Sequence, residues 1–400
     1  MNRSALAIAI AMTAATSANA APTMEEMWQI IQQQQAEIER LKGQQSKTQE
    51  KLQETEVKVE ATADAVDQVS TSSVAKVAEW VNNTQVGGYG EHHFNHFKNG
   101  DDKVDAHRFV IFLNHQFSDK VRLFTELEVE HGLAKDTADG SGPGEVELEQ
   151  AYIEWDFAEN HKLHIGQFLI PVGILNETHE PDTFYGTERN NVEKNIIPAT
   201  WWETGVQVLG EIAPGLSYNA GVHSGLKMDD GDKIRSGRQK SAKATAEDLA
   251  FTGRLKYAGI AGLELATTLQ YQQDVTQGAS AQGADAMLIE AHAAYQTGNF
   301  ALRALWATWD IDSDAFELVG RDEQEGWFIE PSYKLTEKLG VFVRYSEWDN
   351  NAGNTADTEI EQVDFGLNYW LTPRVVLKAD VTDQVNDDGD SVNLGVGWSF

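Results

Sequence analysis

The last ten residues of the chain, SVNLGVGWSF, alternate between apolar and small or polar side chains. Successive side chains on an extended strand point to opposite faces of a sheet. One face therefore carries Val392, Leu394, Val396, Trp398 and Phe400, and the other carries Ser391, Asn393, Gly395, Gly397 and Ser399. Such a strand requires neighbouring strands that continue one apolar and one polar surface.

The same period of two recurs from Val86 to the end of the chain. Clear examples are residues 121–129, 263–271 and 363–371. Counting such segments predicts about sixteen strands. They lie near residues 86–97, 107–117, 121–130, 146–157, 162–169, 201–212, 216–223, 249–257, 263–273, 285–296, 300–310, 325–333, 340–348, 361–371, 375–384 and 391–400.

The connections between these segments fall into two classes. Those after even-numbered segments are short and turn-like, whereas many after odd-numbered segments are long, polar and acidic, most clearly 131–145, 170–200, 224–248, 311–324 and 349–360. Short turns on one rim and long loops on the other are typical of outer-membrane β-barrels. The aromatic C-terminus, Phe400, resembles the closing strand of such barrels. We therefore predict an all-β membrane barrel of about 16 antiparallel strands over residues 86–400.

A soluble β-sandwich would also show alternating strands. Trp and Tyr residues, however, recur at strand ends on the apolar face, as at Trp155, Tyr257, Trp327, Tyr345, Tyr369 and Trp398. Aromatic side chains in these positions form the interfacial girdles of membrane proteins. This distribution favours the membrane barrel over the sandwich.

Residues 1–20 have the pattern of a secretory signal peptide. Arg3 supplies a positive charge, an apolar run follows, and Ala18-Asn19-Ala20 forms a cleavage site. The sequence contains no cysteine and has a formal net charge of −32. Nucleic-acid binding needs basic patches, so this charge disfavours it. We expect an exported protein of the bacterial outer membrane.

Residues 24–69 carry a sustained heptad pattern. Apolar side chains such as Ile31, Ile38 and Leu52 occupy one seam position, and Met27 and Leu41 occupy the other. A narrow apolar stripe of this kind cannot be buried on a single helix, so it favours a coiled coil with partner helices. A single solvated helix is the alternative. We predict a periplasmic α-helical stalk over 24–69 and a linker over 70–85.

A barrel of about 16–18 strands leaves an aqueous channel unless something fills it. Charged residues at inward-facing positions favour a wet interior, because charges buried in an apolar interior are costly. We predict that these residues line the lumen: Arg122, Glu126, Glu128, Arg254, Glu264, Arg303, Arg344, Asp364 and Lys378.

The connection between the fifth and sixth segments is unusually rich in aromatic and apolar residues. Ile174, Phe184, Tyr185, Trp201 and Trp202 are examples. A freely solvated loop would not need them, so we predict that it folds inward and narrows the pore; a lid on the rim or a trimer latch is the alternative. Its charged residues would then form the constriction: Glu177, His179, Glu180, Asp182, Glu188, Arg189, Glu193 and Lys194. Carboxylates in such a position attract cations.

The segment FLIPVGILNETHEPDTFYGTERNNVEKNIIPATWWETGVQVLG, residues 168–210, resembles the signature region of the phosphate-selective porin O/P family. The resemblance implies a trimeric sixteen-strand outer-membrane porin with an inward-folded third loop. It also implies anion binding by arginines and lysines of the pore, whereas here Arg189 and Lys194 lie among several acids.

These patterns predict a porin for passive diffusion of small hydrophilic solutes and ions. Two alternatives are a phosphate- or anion-selective porin and a structural envelope tether anchored by the barrel. No catalytic set, cofactor or metal site is predicted, because His92 and His96 lie too far apart on a strand to share an ion and His93 faces the other way. We expect the barrel to contact outer-membrane lipid, lipopolysaccharide, solutes and two other copies of the chain. We expect the stalk to contact the cell wall.

Overall fold

The structure is a computed structural model that describes residues 24–132 and 144–400. The predicted signal peptide, residues 1–20, lies outside the described residues. The chain divides into a helical unit that ends at Glu79 and a barrel unit, Trp80–Phe400.

Helix α1 spans Met24–Asn82 and contains the predicted stalk. It also continues through most of the segment 70–85, which we predict as a linker. That stretch contains Ser and Thr but neither Gly nor Pro up to Asn82, so its cost in helix propensity is small. The seam side chains Ile31, Ile38 and Leu52 are each about half exposed in the single chain. Among the described residues, no helix combines the length and apolar character needed to cross a membrane.

Residues 84–399 form a closed antiparallel barrel of sixteen strands, which confirms the predicted fold class. The strands are β1 Thr84–Phe97, β2 Lys103–Ser118, β3 Val121–Glu130, β4 Val146–Ala158, β5 His161–Leu169, β6 Trp202–Ala213, β7 Leu216–His223, β8 Ala250–Ile260, β9 Leu263–Gln272, β10 Asp285–Thr297, β11 Phe300–Asp312, β12 Glu323–Lys334, β13 Leu339–Asp349, β14 Ile360–Thr372, β15 Val375–Val385 and β16 Ser391–Ser399. Each strand pairs with its sequence neighbours, and β16 pairs with β1. The main difference in boundaries is that β2 begins at Lys103 rather than near residue 107.

The C-terminus completes the barrel. The backbone N–H of Phe400 donates to the carbonyl of Gly88 at 2.8 Å, and the N–H of Gly88 donates to the carbonyl of Phe400 at 3.1 Å. Trp398 lies opposite Gly90 in the same pair of strands. Closure leaves no free sheet edge, and a membrane requires this of a β-structure.

The two faces of the wall have opposite character. On β14, Val363 and Phe365 are 41% and 59% exposed, whereas Asp364 between them is 2% exposed. On β9, Leu269 faces outward and Gln270 is buried inside. Apolar side chains therefore cover the outside and polar side chains cover the inside, as expected for a barrel surrounded by lipid.

Candidate functional site

The long connection between β5 and β6, residues 170–201, is called loop 3. Its middle contacts side chains that face the barrel interior on β14 and β15. Asn368 donates from Nδ2 to the carbonyl of Phe184 at 3.0 Å, and Lys378 donates from Nζ to the carbonyl of Gly186 at 2.9 Å. The N–H of Thr187 donates to Asp380 at 2.7 Å. Loop 3 is thus fixed to strands remote from β5 and β6.

Small residues on the inner face of β16 leave room for this loop. A Cβ added at Gly397 would lie 2.5 Å from Cβ of Pro181, and one added at Gly395 would lie 3.0 Å from Thr187. Real Cβ atoms do not approach neighbours as closely as 2.5 Å, so a side chain at Gly397 would displace Pro181. The small residues on the polar face of the last strand therefore have a packing role.

The two ends of loop 3 pack into an apolar cluster with the wall. Ile196, Ile197 and Trp201 are fully buried there beside Trp309 and Phe316. The indole N–H of Trp309 donates to the carbonyl of Ile196 at 2.8 Å. Each buried isoleucine contributes about 1.5–3 kcal/mol, so this cluster holds the loop firmly.

Polar side chains inside loop 3 join its two ends. Asn176 donates to the carbonyls of Ile170 and Trp201 at 2.8 and 2.9 Å, and it accepts the N–H of Trp201 at 2.7 Å. Asn190 caps the short helix α2, Asn191–Asn195, by accepting the N–H groups of Val192 and Glu193. The loop therefore has a defined internal fold.

Glu193 lies within this fold and not beside open space. It is fully buried, and its carboxylate accepts hydrogen bonds from the N–H groups of Ile174 and Leu175. Burial raises the pKa of Glu193 to about 7, although these two N–H groups act in the opposite direction. The sequence analysis predicts Glu193 in the constriction, whereas the structure places it inside the loop.

His179 is also buried rather than lining open space. Its Nε2 lies 2.8 Å from the hydroxyl of Tyr89 and 3.5 Å from a carboxylate oxygen of Glu149. Arg108 donates to its backbone carbonyl at 2.5 Å. Burial lowers the pKa of His179, despite the raising effect of Glu126. This predicted constriction residue therefore anchors loop 3 to β1 and β2.

A cavity of about 590 Å³ lies at the long-loop end of the barrel interior. Three predicted constriction residues line it: Glu188, Arg189 and Lys194. Burial would raise the pKa of Glu188, but the hydrogen bond and charge of His93 hold it well below its ordinary range. Glu188 therefore contributes a negative charge at neutral pH.

Four cationic side chains meet at one side of this cavity. We call Arg189, Lys194, Arg235 and Arg238 the cationic cluster. Arg235 donates to the carbonyls of Lys194 and Ala199 at 2.8 and 2.7 Å, and Arg238 donates to the carbonyl of Thr200 at 2.6 Å. Arg189 donates to the hydroxyl of Thr200.

The hydrogen bonds of the cationic cluster go to neutral oxygens. Within residues 24–132 and 144–400, none of the four side chains forms a salt bridge. Burial and the charges of Arg238 and Arg189 lower the pKa of Arg235 to about 9, and burial with repulsion from neighbouring cations also lowers the pKa of Arg238. The cluster thus presents positive charge that no carboxylate of the described residues balances at bonding distance.

Carboxylates line another part of the same cavity. Glu128 on β3 and Glu147 and Glu149 on β4 all face it. Lys240 lies 2.5 Å from a carboxylate oxygen of Glu147 and also 2.5 Å from one of Glu145. The cavity wall therefore contains both an acidic group and the cationic cluster.

Most of the predicted lumen cations are paired with acids. Arg122 lies 2.7 Å from Glu154 and 2.6 Å from Asp156. Arg344 lies 2.9 Å from Asp364 and 3.1 Å from Glu330. Arg254 pairs with Glu177, whereas Arg303 donates to the carbonyl of Thr183. Glu264 lies 3.5 Å from both Lys256 and His292. Glu126 is buried and accepts the hydroxyl of Tyr89.

A second cavity of about 520 Å³ lies at the short-turn end and is lined by Asp182, Tyr185 and Arg303. Glu180 and Asp182 line a third, of about 370 Å³, beside Phe400. Loop 3 contributes to cavities at both ends of the barrel, with residues 182–185 on one side and residues 188–194 on the other. The middle of loop 3 lies between them.

Arg235 and Arg238 were not among the predicted site residues. They belong to the connection 224–249 between β7 and β8, which we predict as a polar loop. The run KIRSGRQK, residues 233–240, is basic within a strongly acidic chain, and this contrast was the available signal. Its proximity to loop 3 arises from tertiary folding and could not be predicted locally.

Comparisons with known proteins agree with this architecture. Residues 203–389 match the profile of the family described as Gram-negative porin. An uncharacterized protein of Aquifex aeolicus (strain VF5) is 27% identical over 364 residues, which covers 82% of each chain.

Several solved structures share the fold. OmpF of Salmonella typhi, solved in complex with daunomycin, has a TM-score of 0.57 at 13% identity and covers 80% of this chain and 98% of its own. The anion-selective porin from Comamonas acidovorans has a TM-score of 0.57 at 15% identity, with 79% and 99% covered. The outer-membrane channel DcaP of Acinetobacter baumannii has a TM-score of 0.53 at 14% identity, with 79% and 97% covered. The chain is thus a sixteen-stranded barrel with the fold of solved porins, and its C-terminal half matches the Gram-negative porin family.

Proposed function

We propose that this protein is an outer-membrane porin through which small hydrophilic solutes and ions diffuse passively, with loop 3 narrowing the barrel. The observation that carries this proposal is the position of loop 3. Its carbonyls at Phe184 and Gly186 bond to Asn368 and Lys378 on the opposite wall, between cavities at the two ends of the barrel. A polar interior and an apolar exterior support the same role.

Diffusion through such a passage requires only weak solute binding. Polar groups of the wall replace part of a solute's hydration, and binding must stay weak enough for the solute to leave. Glu188, Arg189 and Lys194 of loop 3 are placed for such contacts, because they line the cavity at the long-loop end. Asp182 and Glu180 are placed similarly at the short-turn end.

The absence of cysteine from the sequence permits a direct test. We expect Glu188→Cys, in planar bilayers, to lose conductance when a charged thiol reagent is added, because the attached group enters the passage. Asp388→Cys in the exposed β15–β16 connection is the matched control and should be insensitive. If Glu188→Cys conducts but its conductance does not respond to the thiol reagent, loop 3 lies outside the conducting path. If the wild-type protein shows no conductance at all, the envelope tether is favoured.

Anion selectivity is the second candidate, and the cationic cluster favours it. Predicted lumen arginines such as Arg122, Arg254 and Arg344 are balanced by carboxylates. Among residues 24–132 and 144–400, Arg235 and Arg238 bond only to backbone carbonyls. Unbalanced arginines attract carboxylate or phosphate groups, which they can bind with two parallel hydrogen bonds.

A reversal potential measured under a salt gradient distinguishes the candidates. If the cluster sets selectivity, Arg235→Gln with Arg238→Gln will shift the permeability ratio towards cations. Arg374→Gln with Lys120→Gln is the matched control, since this pair also removes two charges, from exposed short turns at the other rim. Equal shifts in both variants, or no shift in either, would show that the cluster does not set selectivity.

The assembly and the surroundings of the protein are further parts of the proposal. We infer a homotrimer exported by the signal peptide, with α1 as a periplasmic coiled-coil stalk that reaches towards the cell wall. The exposed seam of α1 supports association of copies. Among the solved structures of similar fold, one is described as a trimer form of OmpT of Vibrio cholerae. The acidic loops suit contacts with lipopolysaccharide through divalent cations.

A further inference from the structure

Three side chains converge at the long-loop end of the barrel interior: Asp105 and His107 on β2, and His131, which follows β3. The Nδ1 atoms of His107 and His131 lie 3.0 and 2.8 Å from Oδ2 of Asp105. Both imidazole nitrogens are thus within hydrogen-bonding distance of the same carboxylate oxygen, and one ligand atom of each residue lies within 4.8 Å of the other two. All three residues line the cavity of about 590 Å³.

A β-bulge turns this part of β2 towards the interior. In the pairing of β1 with β2, Glu91 lies opposite Arg108 and His93 lies opposite Asp105, so β2 contains one extra residue over this stretch. Bulges break the alternation of side chains and re-aim them, often beside functional sites. Consequently the adjacent residues His107 and Arg108 both face inward, whereas strict alternation would place His107 on the outer face.

The backbone at His131 is held in an uncommon conformation. Its φ is 52°, a left-handed value that non-glycine residues seldom adopt. The N–H of His131 donates to the carbonyl of His107 at 2.9 Å, which fixes the two residues side by side. Strained backbone of this kind is concentrated at functional sites.

A stacking contact with His93 also fixes the orientation of the His107 ring. It stacks on His93 with 4.4 Å between ring centroids and an interplanar angle of 17°. His93 is itself fixed between Glu91 and Glu188, whose carboxylate oxygens lie 3.1 and 3.0 Å from its ring nitrogens. Supporting contacts of this kind orient metal-binding histidines in proteins.

The geometry is close to that of a metal site. Zn²⁺ binds imidazole nitrogen and carboxylate oxygen at about 2.0–2.2 Å, so neighbouring ligand atoms of a tetrahedral site are about 3.3–3.5 Å apart. The distances of 3.0 and 2.8 Å need to open by only a few tenths of an ångström. The side chains of His107 and His131 are 20% and 40% exposed, so water can reach a fourth position.

We propose that Asp105, His107 and His131 bind a divalent transition-metal ion of the Zn²⁺ type at the long-loop end of the barrel. Imidazole with carboxylate suits this class of ion. The site goes beyond solute diffusion, because metal binding does not require a conducting pore. His93, His107 and Glu188 form a neighbouring group of three, but both ring nitrogens of His93 are already engaged by carboxylates, those of Glu91 and Glu188.

Calorimetric titration of the full-length, chelator-treated protein in detergent with ZnCl₂ tests the proposal. We expect one ion per chain, and we expect His107→Ala and Asp105→Asn each to weaken binding by about a hundredfold or more, since even supporting residues contribute 10–100-fold. His131→Asn should weaken it equally while keeping the left-handed backbone, which Asn tolerates. His96→Ala is the matched control, because His96 pairs with Asp102 alone at 2.6 Å.

Circular dichroism of each variant establishes that the barrel is folded. Absence of one-to-one zinc binding by the wild-type protein would overturn the proposal. Zinc affinity that is unchanged in both His107→Ala and His131→Asn would overturn it too. Loss in His107→Ala with none in His131→Asn would assign the ion to His93, His107 and Glu188 and contradict the proposed ligand set.

Discussion

The ammonium nitrogen of Lys378 on β15 lies 2.9 Å from the backbone carbonyl oxygen of Gly186 in loop 3. The same nitrogen lies 3.6 Å from the centroid of the Phe184 ring. Lys378 is only 4% exposed, and a buried ammonium group needs such partners because its desolvation is costly. This contact joins the barrel wall to the middle of loop 3.

Replacing Lys378 by Met should release the middle of loop 3 while preserving side-chain length. The hydrogen bond to Gly186 is lost, and bonds to charged groups contribute about 1.5–3 kcal/mol. Single-channel recordings should therefore show larger current fluctuations than in the wild type. Lys334→Met is the matched control, because that lysine is exposed and lies over Trp370 at the short-turn end. Identical current noise in all three proteins would show that the Lys378 contact does not restrain the loop.

Gly397→Ala should disturb loop 3 from the opposite wall. The new Cβ would lie 2.5 Å from Cβ of Pro181, and overpacking of this kind costs about 1–3 kcal/mol. We expect a lower unfolding temperature in detergent and an altered conductance. Gly253→Ala on β8 provides the comparison, since a Cβ there meets nothing within 4 Å. Equal melting temperatures for the two variants would contradict the proposed packing role of Gly397.

The barrel wall is largely predictable from the sequence, because the alternation that defines each strand is a local pattern. Alternation such as Val363, Asp364 and Phe365 follows from lipid outside and polar contacts inside, and each strand shows it independently. The contrast between short turns and long loops fixed the direction of each strand. The apolar residues of loop 3, including Ile196 and Trp201, also indicate burial from the sequence alone, and both are buried.

Features that depend on tertiary contacts were not predictable in this way. Glu193 looks like any other loop carboxylate in the sequence, but it is enclosed by the loop's own N–H groups. Arg235 reaches loop 3 from a different connection. The bulge in β2 turns the side chain of His107 from the outer face of the barrel to the inner face, where it lies beside His131. Strict alternation along the strand predicts the opposite orientation.

The buried carboxyl of Glu193 should make stability depend on pH. Burial raises its pKa from 4.5 to about 7, despite the N–H groups of Ile174 and Leu175 and the charge of His292; Glu290 nearby adds to the increase. The folded state therefore binds the proton more tightly than the unfolded chain, so the free energy of unfolding decreases as pH rises from about 4.5 to 7. The decrease is on the order of 3 kcal/mol.

Glu193→Gln isolates this contribution, because the amide cannot ionise. The difference in melting temperature between pH 5 and pH 8 should be smaller in the variant than in the wild-type protein. Glu180→Gln serves as a control on the same loop, since Glu180 lies beside a cavity and not inside the fold. The same pH dependence in wild type and Glu193→Gln would show that Glu193 is ionised at no cost in the folded protein.

The exposed seam of α1 leads to a prediction about assembly. Leu52 occupies a seam position of the heptad and is 56% exposed in the single chain, so partner helices would cover it. Since the sequence has no cysteine, Leu52→Cys supplies the only thiol. Under mild oxidation we expect disulfide-linked pairs of chains on non-reducing gels.

Glu50→Cys, on the outer face of the same turn, should crosslink far less, because its side chain points away from the seam. Equal crosslinking at both positions would indicate random collision and would remove the basis for a coiled-coil stalk.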